Sequence, residues 1–254
     1  MSAPDISITL YSNPACPYVH RTLTTLHELS LPFTPHFIDL NTPRPDYYLK
    51  INPRGTVPAL TFTSPAINSN NPVIINESLI IVHFLADLFP NHLIPAPGSV
   101  ESAAARARIL FVVDTWGNKV GSLWVKALLA SVGTEEAANE AVDAAVAAVE
   151  NEIEPLLAKV DGDGDGPFLG GRDKFTLAEI AIAPFILRNF AQSSNGILPP
   201  TFKSRLLALP NFGKWATEVL KNESLLKDWD EPTFIEGSKK KLQQFKDGTF
   251  KPKV

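Results

Sequence analysis

Apolar and polar residues alternate along Ile6-Ser-Ile-Thr-Leu-Tyr11, the two-residue period of a half-buried strand. The period then changes. Over residues 17–29, Val19, Leu23, Leu26 and Leu29 fall three or four apart, the stripe of an amphipathic helix, and Pro17 suits its first turn. Leu31-Pro32 ends that helix, and residues 33–40 give a second strand, expected parallel to the first because a helix lies between them. Residues 46–51 predict a short helix. Residues 57–62 and 73–75 predict two short strands, parted by a polar Ser/Asn/Pro loop over 63–72. Ser78 opens a further helix with Leu79, Val82, Phe84, Leu85 and Leu88 as apolar positions. Strand, helix, strand, short helix, strand, strand, helix is the order of a small mixed sheet flanked by helices.

Beyond that the pattern has one period. Residues 89–99 hold three prolines and a glycine and read as a linker. Long helical patterns follow over 100–131 and 134–160, another spans 176–191, and shorter helices precede a polar, lysine-containing tail. The expected architecture is an α/β domain over 1–89, a linker over 90–99 and an all-helical domain over 100–254.

Composition narrows the function. The chain has 254 residues, 44% hydrophobic and 20% charged, enough to bury two cores. Lys+Arg 23 against Asp+Glu 27 gives a net charge of -4, and no basic stripe is interleaved with aromatics, so no nucleic acid partner is expected. The apolar runs over 109–113 and 178–187 fall short of the ~18 residues that span a bilayer. The first twenty residues lack a basic start followed by an apolar run, so a cytoplasmic protein without a membrane partner is expected. A single cysteine excludes a disulfide framework and a multi-thiolate zinc site. Asp161-Gly-Asp-Gly-Asp-Gly166 resembles the start of a calcium loop, but Arg172 stands where the twelfth ligand, a bidentate Glu, is required. No metal is expected, and the segment reads as a flexible polar loop.

That one cysteine, Cys16, stands where the first strand turns into the first helix. Unpaired backbone N–H groups and the positive end of the helix dipole favour a thiolate there, and His20 and Arg21 lie one turn along. An inert buried cysteine is the plain alternative. Val19 stands three residues on, where a redox domain that works alone carries its second cysteine. If Cys16 turns over, the resolving thiol comes from solution, which predicts a small thiol cosubstrate. Thr56-Val57-Pro58 is a candidate cis-proline turn, and a cis bond would face the Val57 N–H and C=O outward, free to pair with a peptide-like ligand. An ordinary trans proline at a strand start is the alternative. Glu77-Ser78 opens a helix: Ser78 with the helix-start N–H groups suits a carboxylate and Glu77 an ammonium, against simple N-capping by Ser78.

Cys16-Pro-Tyr-x-x-Arg21, Asn52-Pro-x-Gly-x-Val-Pro58 and Glu77-Ser78 together resemble the glutathione transferase superfamily, whose N-terminal domain is thioredoxin-like. The Cys-Pro-Tyr start is similar to the omega class and its relatives, the lambda transferases, dehydroascorbate reductases and chloride-intracellular-channel proteins. In the helical half, Thr176 and Glu179 resemble the family's buried capping box, a structural feature in which each side chain caps the other's backbone N–H.

The resemblance implies that Cys16 forms a mixed disulfide with glutathione, that Val57, ahead of Pro58, pairs with the cysteinyl backbone, and that Glu77 and Ser78 hold the γ-glutamyl end. Arg44 aligns, on charge alone, with a cation that meets the glycine carboxylate. A second, small electrophilic or disulfide substrate is expected between the domains, near Tyr18, Trp116, Asn118, Lys119, Leu123, Trp124 and Trp229, although aromatics at this spacing are more often simple core, and a homodimer is implied. The loop over 63–72 and the extension past Trp229 depart from the family pattern. Three functions follow: a thiol transferase or reductase working through Cys16; a conjugating enzyme or cis–trans isomerase in which glutathione's own thiolate adds to the substrate; or a binding or assembly module without turnover.

Overall fold

Strand β1 (Ser7–Ser12) is an inner strand, and the three that follow build outward from it in a computed structural model that describes residues 6–66 and 71–249. Helix α1 (Pro17–Glu28) carries the chain back so that β2 (Thr34–Phe37) pairs parallel to β1, Thr9 opposite Thr34. After α2 (Asp46–Ile51), strand β3 (Ala59–Thr63) pairs antiparallel on the other side of β1, Leu10 opposite Leu60, and β4 (Val73–Asn76) pairs antiparallel to β3. The sheet order is β2-β1-β3-β4, and α3 (Ser78–Leu88) completes the unit. Leu10, Leu60 and Phe62 from the sheet close on Val19 and Leu26 of α1 and on Ile81 and Leu85 of α3. This is the thioredoxin-like arrangement: a crossover helix forces the parallel pair, and the two later strands return without one.

The chain divides into two compact units, the first ending at Asn91 and the second beginning at His92, inside the proline-rich stretch. Among the described residues the second unit contains no strand beyond an isolated bridge between Phe168 and Arg172. Helix α4 (Val100–Thr115) runs through a π-helical turn at Trp116–Val120 into α5 (Gly121–Ala130). Helix α6 (Glu135–Ala148) ends in a second π-helical turn, Val149–Ile153, and a 3-10 turn, Glu154–Leu157. Then come α7 (Leu177–Ser194), α8 (Pro200–Leu207), α9 (Phe212–Val219), α10 (Glu223–Leu226) and α11 (Glu231–Lys246).

Helix α7 is the axis of this unit, buried almost end to end. Thr176 Oγ1 accepts from the Ala178 N–H, and Glu179 Oε2 accepts from the Thr176 N–H at 2.7 Å, closing the capping box. Glu179 Oε1 also accepts from Trp215 Nε1 at 2.7 Å and from the Leu169 N–H at 3.0 Å, so one buried carboxylate ties α7 to α9 and to the loop before it. A charge this deep is tolerable because every oxygen is bonded.

Two expectations are corrected. The lysine-containing stretch after Trp229 is not an irregular tail: over Glu231–Lys246 it forms α11, with Asp230 accepting the Thr233 N–H as N-cap. Ile235 buries its side chain in a cluster with Ala191 and Ile197, with Phe234 and Leu242 packed against it, and so few apolar positions among many lysines and other polar residues give a weak periodic signal. The Asp-Gly loop is pinned rather than flexible. Arg108 Nη1 donates to both oxygens of Asp163, at 2.6 and 2.9 Å, and the Gly166 N–H donates to the Gly171 carbonyl at 2.9 Å. A Cβ on Gly164 would sit 2.3 Å from the Gly171 oxygen, so the two backbones approach too closely for a side chain there. Residues 67–70 of the Ser/Asn/Pro insertion lie outside the described residues.

Candidate active site

Asn13 builds the bend that presents the cysteine. Its buried side chain donates to the Ile38 carbonyl at 2.9 Å and accepts from the Ala15 N–H at 3.1 Å, while its own carbonyl takes the Cys16 N–H at 3.0 Å. Cys16 is thereby held in extended backbone (φ -83°, ψ 120°) as the N-cap of α1, ahead of Pro17. The thiol is half-buried and in no disulfide. At that position it faces the N-terminal end of a twelve-residue helix, where the peptide dipoles favour negative charge.

One turn along, Arg21 is buried, and its Nη1 donates to Ser78 Oγ at 3.3 Å. Its guanidinium lies 5.1 Å from the centre of the half-exposed Tyr18 ring. Burial lowers the Arg21 pKa to about 10, while interaction with Tyr18 and Cys16 pulls it upward. Arg21 therefore stays cationic at neutral pH, and the attraction that favours its charged form favours the Cys16 thiolate equally.

The Val57-Pro58 bond is cis. Val57 does not leave its carbonyl open as the sequence suggests: that oxygen lies 3.7 Å from Cys16 Sγ and accepts from it. The preceding residues are held by α2 and the loops around it. Tyr48 donates its hydroxyl to the Thr56 carbonyl, which also accepts from Asn52 Nδ2 at 2.8 Å. Arg44 Nε donates to the Gly55 carbonyl at 2.8 Å, and its Nη1 donates to the carbonyls of Asp39 (3.0 Å) and Thr42 (2.7 Å). Arg44 thus staples two loops, a use that charge alignment does not reveal.

Glu77, not Ser78, is the N-cap of α3, and it sits at φ 71°, ψ 123°, a conformation costly for a side-chain-bearing residue. Its Oε1 accepts from Arg54 Nη1 at 2.6 Å on the surface, so the acid expected to meet an ammonium already holds a cation. Ser78 is buried at the helix start against Arg21. The structure brings Cys16, Val57, Pro58, Glu77 and Ser78 into one unit with Tyr18. Sequence reasoning missed Arg54 and the Arg21–Ser78 bond. Both pairs join residues more than twenty positions apart, and no periodicity announces them.

The remaining candidates lie in the helical unit. Trp116 and Trp124 are 1% exposed and meet edge to face at 4.7 Å, packed further against Phe185 and Phe202; as placed they are core aromatics rather than surfaces for a ligand. Lys119 is exposed on the π-helical turn, where Asn118 Nδ2 donates to Asp114 at 2.9 Å. Trp229 is half-buried under the Arg188 guanidinium, 5.1 Å from its ring centre. Among the described residues no cluster of three or more His, Cys, Asp or Glu could hold a metal, and no helix is long and apolar enough to cross a membrane.

Comparison with known proteins agrees with this construction. Residues 15–88 match the family described as glutathione S-transferase, N-terminal domain. The chain is 29% identical over 237 residues to the glutathione S-transferase-like protein tpcF of Aspergillus fumigatus, covering 85% of this chain and 98% of that protein. It is 27% identical over 170 residues to the probable glutathione S-transferase DHAR4 of Arabidopsis thaliana, covering 66% of this chain and 65% of its relative. The match thus spans less than two thirds of that plant protein's length. Glutathione transferase Omega 2C of Trametes versicolor superposes with a TM-score of 0.76 at 28% identity, over 93% of this chain and 99% of the other. Omega 1C from the same fungus gives 0.72 at 28% identity, over 93% and 97%. A cysteine capping the first helix beside a cis-proline turn, the family match over residues 15–88 and omega-class structural neighbours agree: the first unit matches the N-terminal domain of glutathione S-transferases, and the chain as a whole is similar to omega-class glutathione transferases.

Proposed function

We propose that this protein is a glutathione-dependent thiol transferase or reductase of the omega type, acting in the cytoplasm through Cys16. The observation that carries the reading is the lone Cys16 at the N-cap of α1, its sulfur beside the Val57 carbonyl and the buried Arg21 cation one turn away. The thiolate attacks the glutathionyl sulfur of a substrate–glutathione disulfide. A Cys16–glutathione disulfide forms, and the substrate leaves as a thiolate that takes a proton from water. A second glutathione thiolate then attacks that disulfide, releasing glutathione disulfide and regenerating the Cys16 thiolate. Val57 pairs through its N–H with the cysteinyl backbone. Ser78 and the first N–H groups of α3 take the γ-glutamyl carboxylate, and the Glu77 carboxylate, which now holds the exposed Arg54, meets the ammonium end. Arg44 acts on the glycine end by shaping its loop. Tyr18, half-exposed beside Arg21, meets the second substrate.

A second reading is that glutathione's own thiolate adds to a small electrophilic metabolite, giving a conjugate or, after rotation and elimination, its cis–trans isomer. The half-exposed Tyr18 hydroxyl beside the Arg21 charge supplies a donor for such a thiolate. Replacing Cys16 separates the two. Cys16→Ser should lower glutathione-dependent reduction of a small disulfide by at least a hundredfold. Retention of that activity would remove the cysteine from the chemistry and leave addition or isomerisation. We also infer a homodimer, because Ile80 and Leu88 on one side of α3, and Ile74 of β4, are apolar and exposed.

A further inference from the structure

The Tyr48 ring is fully buried on α2, 5.6 Å from the ring of Tyr11, yet its hydroxyl is spent on one backbone atom, the Thr56 carbonyl oxygen. That oxygen belongs to the same peptide group as the Val57 N–H. The Thr56–Val57 bond is trans, so its C=O and N–H point in opposite directions, and whatever fixes the carbonyl fixes the aim of the N–H. Asn52 Nδ2 shares the oxygen at 2.8 Å and also donates to Thr56 Oγ1 at 3.1 Å. A carbonyl that accepts two hydrogen bonds is polarised, which makes the N–H at the other end of the group a stronger donor.

We propose that Tyr48 is a positioning residue whose hydroxyl, acting through the Thr56 carbonyl, aims the Val57 N–H at the backbone of the thiol peptide. The inference rests on the reading that Val57 pairs with glutathione. It adds that the strength of that pairing is set from behind the peptide plane, by a residue that touches no ligand. Burial pushes the Tyr48 hydroxyl up to about 12, so it remains a protonated donor throughout the working pH range.

The test is Tyr48→Phe, which removes one oxygen and keeps the buried ring. With wild-type binding of glutathione first established by calorimetry, the variant should raise the KM for glutathione about three- to tenfold, the effect of one hydrogen bond. Its kcat and the rate at which iodoacetamide alkylates Cys16 should stay within twofold of wild type, because neither needs the pairing. An unchanged KM overturns the inference, as does a parallel loss of kcat, KM and alkylation rate, the mark of a merely structural residue. Should Tyr48→Phe fail to fold, 3-fluorotyrosine at position 48, a stronger donor of nearly the same size, should lower KM with kcat unchanged; no movement overturns the inference. Failure of the wild-type protein to bind glutathione would instead sink the functional reading itself.

Discussion

Cys16 meets three neighbours of different kinds. The N-terminus of α1 supplies partial positive charge, Arg21 supplies a full one from a buried position, and Val57 lays a carbonyl against the sulfur. The first two favour thiolate, while a carbonyl acceptor favours the thiol. The charge should prevail, because a dipole and a cation together outweigh one long contact to a neutral oxygen. Iodoacetamide alkylation followed against pH should therefore show a midpoint below about 8.5, the value of a free thiol. Arg21→Met should move that midpoint upward by roughly one pH unit. A midpoint identical in the two proteins would exclude Arg21 from the electrostatics of the site. Glu77 illustrates a different economy: its positive φ strains the backbone at the point where α3 begins, and such strain gathers where a ligand must be met.

Among the elements, the loop between the 3-10 turn and α7 carries the clearest stability claim. Asp163 joins Arg108 of α4 to the Val160 N–H. Burial alone would raise its pKa, but the hydrogen bonds and the charges of Arg108 and Lys159 prevail and hold it below the ordinary carboxylate value. The folded state then releases this proton more readily than the unfolded one. The stabilisation is present above the unfolded pKa and is lost as pH falls through the folded value. Asp163→Asn should cost about 1–3 kcal/mol in urea unfolding at neutral pH, with the difference shrinking in acid. A constant difference from neutral to acid pH would contradict that linkage.

The same loop shows where sequence patterns stop being informative. The strands and α1 are legible because Leu10, Leu26 and Leu60 lie on regular apolar periods. The Gly164–Gly171 approach and the Arg108–Asp163 bridge join residues with no periodic relation, so the loop reads as merely polar. The π-helical turns at Trp116–Val120 and Val149–Ile153 are similarly invisible, since an extra residue in a turn only shifts the apolar stripe. In the site, Cys16, the Val57-Pro58 turn and Glu77-Ser78 could be named from local sequence. Arg54 and the Tyr48 hydroxyl could not, because each acts on a residue that only the fold brings near.

At the scale of the whole molecule, the exposed apolar residues of β4 and α3 bear on assembly. A dimer that covers Ile74, Ile80 and Leu88 should have twice the chain's mass by light scattering, and Ile80→Lys should shift it toward monomer. A monomer at all accessible concentrations would overturn the dimer. The proposed catalysis makes a stricter demand: under it the chain takes up glutathione on its one sulfur and gives it back. Intact-mass spectrometry of the wild-type protein after exposure to glutathione disulfide tests this most directly. The predicted result is a gain of one glutathionyl group, mapped to Cys16 and removed by added glutathione. A protein that binds glutathione yet never acquires that adduct would contradict the account.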